Sequence, residues 1–135
     1  MTDSISILII EGDPALRIGL ASALSEAGFA TASVPDYSES LLKLKPDMII
    51  IDETLPGGDG MEACFQLHST LGIPVILFGK DSSGEAWKAA VEAGADFYFT
   101  NSFNRRVLAA TVKAILRRYG RSTRGNGREN RNKGF

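Results

Sequence analysis

Short apolar runs alternate with amphipathic stretches along most of the chain. Residues 5–10 ("ISILII") read as a buried strand. Asp13 is then placed to cap a helix that Pro14 opens, Leu16, Leu20 and Leu24 keep helical spacing, and Gly28 ends it. A short strand is predicted over 31–34. A helix follows over 37–44, with Leu41, Leu42 and Leu44 inward, and closes before Pro46. Residues 48–51 form a strand that ends on Asp52. "LPGGDG" over 55–60 is a loop, and 61–71 is helical. The pattern repeats with strand 74–78, helix 83–93, strand 96–99 and a last amphipathic helix over 104–119. Strand–helix units in strict alternation imply an α/β domain, a parallel sheet covered on both faces, because each right-handed crossover lays its helix on one face. Ligands of such folds sit at the carboxyl ends of the strands. Glu11, Gly12 and Asp13, Asp52 and Glu53, Gly79 and Lys80, and Thr100 and Asn101 all fall at such ends.

Composition narrows the class. At 135 residues, 44% hydrophobic and 23% charged, the chain suits one ordinary globular domain. No apolar run approaches the roughly 20 residues of a membrane span, and no basic-then-apolar leader opens the sequence, so a soluble, cytoplasmic protein without membrane association is expected. Cys64 is the sole cysteine, which excludes an intrachain disulfide. Charge is divided unevenly: residues 1–116 carry 8 Lys or Arg against 15 Asp or Glu, whereas 117–135 carry 7 against 1. The stretch 120–135 lacks apolar periodicity and is rich in Gly, Asn and Arg, so it is expected to be a basic flexible linker or tail. It has no interleaved aromatics on which bases could stack.

Glu11, Asp13 and Asp52 make a carboxylate cluster at one rim, of the kind that holds a hard cation such as Mg2+. The plainer reading is that Asp13 caps a helix and Asp52 ends a strand. With "ILIIEGDPALR", "PDMIIIDETLPGGDGMEAC", "IPVILF" and "AGADFYFTNSF" in this order and spacing, the chain resembles the receiver domains of two-component response regulators over residues 4–119. The final helix running into "ILRRYGR" looks most like the OmpR-type branch, whose receivers precede a winged-helix DNA-binding domain not represented here. The resemblance implies a single doubly wound (βα)5 flavodoxin-like domain over 1–119 with strand order 2-1-3-4-5. It also implies phosphoryl transfer from a histidine kinase to Asp52, a metal ligand in the Thr54 carbonyl, and Mg2+ held by two acids after the first strand. A Thr or Ser after the fourth strand and a Lys after the fifth would hold the phosphoryl group, and Tyr98 would be the aromatic that reports the state.

Three of those positions depart from the pattern. The second acid falls on Gly12, the Thr or Ser on Gly79, and the Lys on Asn101, whose usual Pro neighbour is Ser102. Each lost charge-assisted partner costs on the order of 1.5–3 kcal/mol, so the expectation is an atypical, phosphorylation-independent receiver that is not an enzyme and requires no cofactor, with Mg2+ binding weak. The alternative is a working phosphoacceptor in which Asp13, Lys80, Asn101 or Ser82 substitutes. A third is a rim that takes another small anion or metabolite.

OmpR-type receivers pair through their fourth helix, fifth strand and fifth helix by ion pairs. By resemblance those charges fall on Trp87 and Val107, Ala93 and Thr111, and Phe97 and Arg118, and only Arg118 keeps its charge. Exposed ion pairs contribute about 0–1 kcal/mol each, whereas a buried aromatic can dominate an interface. A homodimer through Trp87, Val91, Phe97, Val107 and Thr111 is therefore expected, against the plainer reading that Trp87 packs on its own domain. His68 has no partner at ligand spacing and reads as structural. "GGDG" lacks the Lys of a phosphate loop.

Overall fold

The computed structural model describes residues 4–55, 60–80, 83–100 and 103–121. Five parallel strands, β1 (Ser6–Ile10), β2 (Ala30–Val34), β3 (Met48–Asp52), β4 (Val75–Gly79) and β5 (Phe97–Thr100), lie in the order β2-β1-β3-β4-β5. Three α-helices connect strands, α1 (Pro14–Glu26), α2 (Gly60–Leu71) and α3 (Gly84–Glu92), and α4 (Arg105–Arg118) follows β5. The helix expected over 37–44 is instead a 3-10 segment, Glu39–Leu44. Ser38 makes no capping bond there, and Lys45 ends the segment in the left-handed region with φ 49° just before Pro46. A stretch that short gains too few bonds to settle as an α-helix.

Alternation along the strands splits the core in two. Ile7, Ile9, Ile50, Ile76 and Phe78 face α1 and α4, where Leu20, Leu24, Leu108 and Val112 meet them. Leu8, Ile10, Ile49, Ile51 and Leu77 face the other way, against Ala63, Cys64 and Leu67 of α2 and Ala90 of α3. The central strands β3 and β4 are buried throughout, which is why they read as unbroken apolar runs. Cys64 lies within this second layer and its thiol is pushed up to about 12, first by burial and then by the charge of Asp96, so it is an inert packing residue.

Two carboxylates fasten the strand starts. Asp47 accepts from the Ser6 backbone N–H at 2.9 Å and pairs with Arg121 beyond the end of α4. Asp96 accepts from Val75 N–H at 2.9 Å and from the Tyr119 hydroxyl at 2.8 Å. The amino rim of the sheet and the end of α4 are thereby tied together, at the rim opposite Asp52.

Candidate functional site

The site begins with strand register. Ile10 of β1 pairs with Ile51 of β3, so the next residues, Glu11 and Asp52, emerge side by side. Both are buried, Glu11 to 2% exposure and Asp52 to 7%. Asp52 Oδ1 accepts from the Thr54 N–H at 2.7 Å and from the Thr54 hydroxyl at 2.8 Å. Glu11 Oε2 accepts from the Asp13 N–H at 3.1 Å, while Glu11 Oε1 is buried with no N–H or O–H to accept. Burial, a hydrogen bond with Asp52 and the Asp52 charge push the Glu11 carboxyl up to about 8. Near neutral pH Glu11 is therefore mostly a carboxylic acid, and the oxygen with no other partner is the one free to hold its proton toward Asp52. Arg17 does not neutralise the pair: its guanidinium donates to the Glu11 backbone carbonyl at 2.7 Å. A cleft of about 240 Å3 opens over these residues, lined by Glu11, Gly12, Asp13, Leu16, Asp52, Thr54 and Lys80.

Asp13 lines that cleft but is committed elsewhere. It is the N-cap of α1, and its Oδ1 accepts from the Ala15 N–H at 3.0 Å. Among the described residues no three His, Cys, Asp or Glu side chains converge to hold a metal ion. Glu11, Asp13 and Asp52 line one cleft, with Asp13 also serving as the cap of α1. What faces Asp52 is one buried carboxyl, Glu11, whose Oε1 has no partner among the described residues; with Gly12 at the second acid position, a divalent cation here would have fewer carboxylate ligands than the resemblance implies. The Asn101 position lies outside the described residues, as do Ser82, Ser102 and most of "LPGGDG".

Gly79 has a positive role. A Cβ built there would stand 2.0 Å from Glu53 Oε2 and 2.1 Å from the Tyr98 hydroxyl oxygen. Real side chains do not approach so closely, so the volume of a residue-79 side chain is already filled by its neighbours. The Tyr98 hydroxyl donates to Glu53 Oε2 at 3.0 Å, and the ring is 3% exposed. Register explains the meeting: Asp52 pairs with Phe78, Leu77 pairs with Tyr98, and Glu53 leaves β3 beside Gly79. Sequence reasoning placed Glu53 at a strand end without giving it a task. An acid directly after Asp52, facing a glycine on the next strand, was the available signal.

A family profile described as the response regulator receiver domain matches residues 7–113. This chain belongs to that family. Among the relatives of this receiver domain, the transcriptional regulatory protein CseB of Streptomyces coelicolor is 34% identical over 129 residues, covering 93% of this chain and 55% of that protein. The DNA-binding response regulator MtrA of Mycolicibacterium smegmatis is 34% identical over 115 residues, covering 83% and 50%. The chain thus spans about half the length of these curated relatives. The receiver domain of RstA from Klebsiella pneumoniae, solved in its BeF3-activated form, superposes with a TM-score of 0.77 at 29% identity, covering 83% of this chain and 98% of that one. A two-component response regulator from Clostridium difficile gives 0.78 at 29% identity, covering 87% and 100%. The receiver fold and the likeness to OmpR-type regulators follow from these matches.

The receiver's β5 edge carries the aromatic face. Trp87 of α3 meets Phe97 edge-on, with ring centroids 5.1 Å apart, and Tyr98 at 6.5 Å. Phe97 in turn packs on Phe99 at 4.8 Å and is only half-buried. Trp87 therefore leans on its own domain yet keeps 38% exposure, with Val91 and Val107 more exposed still and Thr111 half-buried. Ala93, by contrast, is buried and takes no part in a surface. Among the described residues no helix is long and apolar enough to cross a membrane.

Proposed function

We propose that this receiver acts as a phosphorylation-independent dimerisation and regulatory module for a DNA-binding output domain in the cytoplasm. The observation that carries the reading is the state of the Asp52 rim. Its one facing carboxyl is pushed toward its protonated form by burial and Asp52, the second acid position is Gly12, and the Gly79 volume is taken by Glu53 and Tyr98. Phosphoryl transfer depends almost wholly on positioned charge, and each of these features alters its placement. The relatives named as transcriptional regulators support an output domain that binds DNA. Incubation with Mg2+ and acetyl phosphate, followed by intact mass measurement, is expected to leave the chain unmodified. A stoichiometric phosphate absent from Asp52→Ala establishes instead a phosphoacceptor served by a histidine kinase, a reading that the open cleft beside Lys80 favours.

The homodimer is proposed through Trp87, Val91, Phe97, Val107 and Thr111. Its support is that α3 buries little of its own surface, with Ala90 its one buried residue and Trp87 and Val91 exposed. Large exposed apolar groups grouped at a sheet edge mark contact surfaces. In sedimentation velocity the parent chain is expected to run as a dimer and Trp87→Arg as a monomer. An unchanged distribution removes this face from the account.

A further inference from the structure

We propose that Glu53, Gly79 and Tyr98 form a latch that holds the Tyr98 ring inward by a carboxylate belonging to the chain itself. The inference deepens the phosphorylation-independent reading and rests on it only for its functional meaning, since the contact stands on geometry alone.

Three observations converge. The first is space: no side chain fits at residue 79 while Glu53 and Tyr98 occupy their places, because an added Cβ would meet both within about 2.1 Å. Glycine there is thus a requirement of the contact. The second is the bond: Tyr98 donates its hydroxyl to Glu53 Oε2 at 3.0 Å, and this joins the residue after Asp52 to the edge strand, two strands away. A hydroxyl donating to a carboxylate is among the stronger hydrogen bonds a side chain can make. The third is continuity. Tyr98 stands 6.5 Å from Trp87, which stacks edge-on over Phe97, so the ring that Glu53 holds is part of the support under the exposed aromatic face. An inward Tyr98 ring keeps Trp87 in one position with no event at Asp52.

Trp87 is the chain's single tryptophan, so its emission reports on this cluster without a label. The test compares the parent with Glu53→Ala, Tyr98→Phe, the double variant and Gly79→Ala, each checked for cooperative melting by far-UV circular dichroism. Glu53→Ala removes the acceptor and Tyr98→Phe the donor while keeping the ring. Both are expected to shift Trp87 emission and raise its acrylamide quenching by the same amount, and the double variant is expected to match either single one. Gly79→Ala is expected to give the same shift by evicting the contact. Emission and quenching unchanged from the parent in the two single variants overturn the latch, as do effects that simply add in the double variant. Intact mass after acetyl phosphate treatment reads the underlying functional proposal separately. A phosphorylated parent whose Trp87 still responds to Glu53→Ala sinks phosphorylation independence and leaves the latch standing.

Discussion

Glu11→Gln is expected to unfold at the parent's urea concentration at pH 4 and at a clearly higher one at pH 9. In the folded chain the Glu11 carboxyl is pushed up to about 8, mainly by burial and then by Asp52, from an ordinary value of 4.5. Between those values the folded state keeps a proton that the unfolded state has released. The stability linked to that proton is full below about pH 4.5 and is lost as pH rises through about 8. The slope is bounded by ~1.4 kcal/mol per pH unit, and the accumulated loss by pH 9 is bounded by about 5 kcal/mol. Glutamine copies the protonated acid at every pH, since its oxygen can accept from the Asp13 N–H and its amide can donate toward Asp52. The two denaturation midpoints should therefore coincide in acid and separate in base. A gap of equal size at both pH values means that the proton does not reside on Glu11.

The second large effect is structural. Gly60→Ala is expected to cost about 3 kcal/mol, the upper part of the range for forcing atoms into packed space. A Cβ at residue 60 would stand 2.0 Å from the Asp52 carbonyl oxygen and 2.5 Å from the Glu53 Cα. Both are backbone atoms at the end of a central strand, so no side-chain rotation relieves the clash. The Gly60 N–H also donates to the Glu53 carbonyl at 3.2 Å, which seats the first turn of α2 against the Asp52 segment. A midpoint drop of roughly 10 °C or more in a thermal melt is the expected reading. Retention of the parent melting temperature contradicts this close approach.

The parallel sheet was legible because β3 and β4 are buried on both faces and read as unbroken apolar runs. The Asp13 cap was legible too, since Asp before Pro ahead of a leucine repeat leaves little choice of local structure. The length of β2 was less so: Ala30 to Val34 lies at the sheet edge with only partial burial, and its pattern is correspondingly weak. The Glu11 and Asp52 pairing needed register, which one residue of slip would undo. Least legible was Glu53. Its meaning depends on what residue 79 lacks and on where the Tyr98 hydroxyl arrives from the edge strand, and neither is a local property of the sequence. For the same reason Gly79 reads from sequence as a loss and from structure as an accommodation.

The fastening at the amino rim fixes where the chain leaves the folded receiver. Asp96 holds Tyr119 and the start of β4, while Asp47 holds Arg121 and the start of β1, so four separate stretches of chain share two anchor points. The Tyr119 hydroxyl, pushed up to about 12 by burial and by Asp96, keeps its proton and so keeps this bond through any physiological pH. Strands of five residues set this rim roughly 17 Å from the one bearing Asp52. Tyr119 and Arg121 are accordingly held at a set position on the side of the sheet farthest from the carboxylates. Two aspartates that take no part in the chemistry above thus set the point from which anything attached would be tethered.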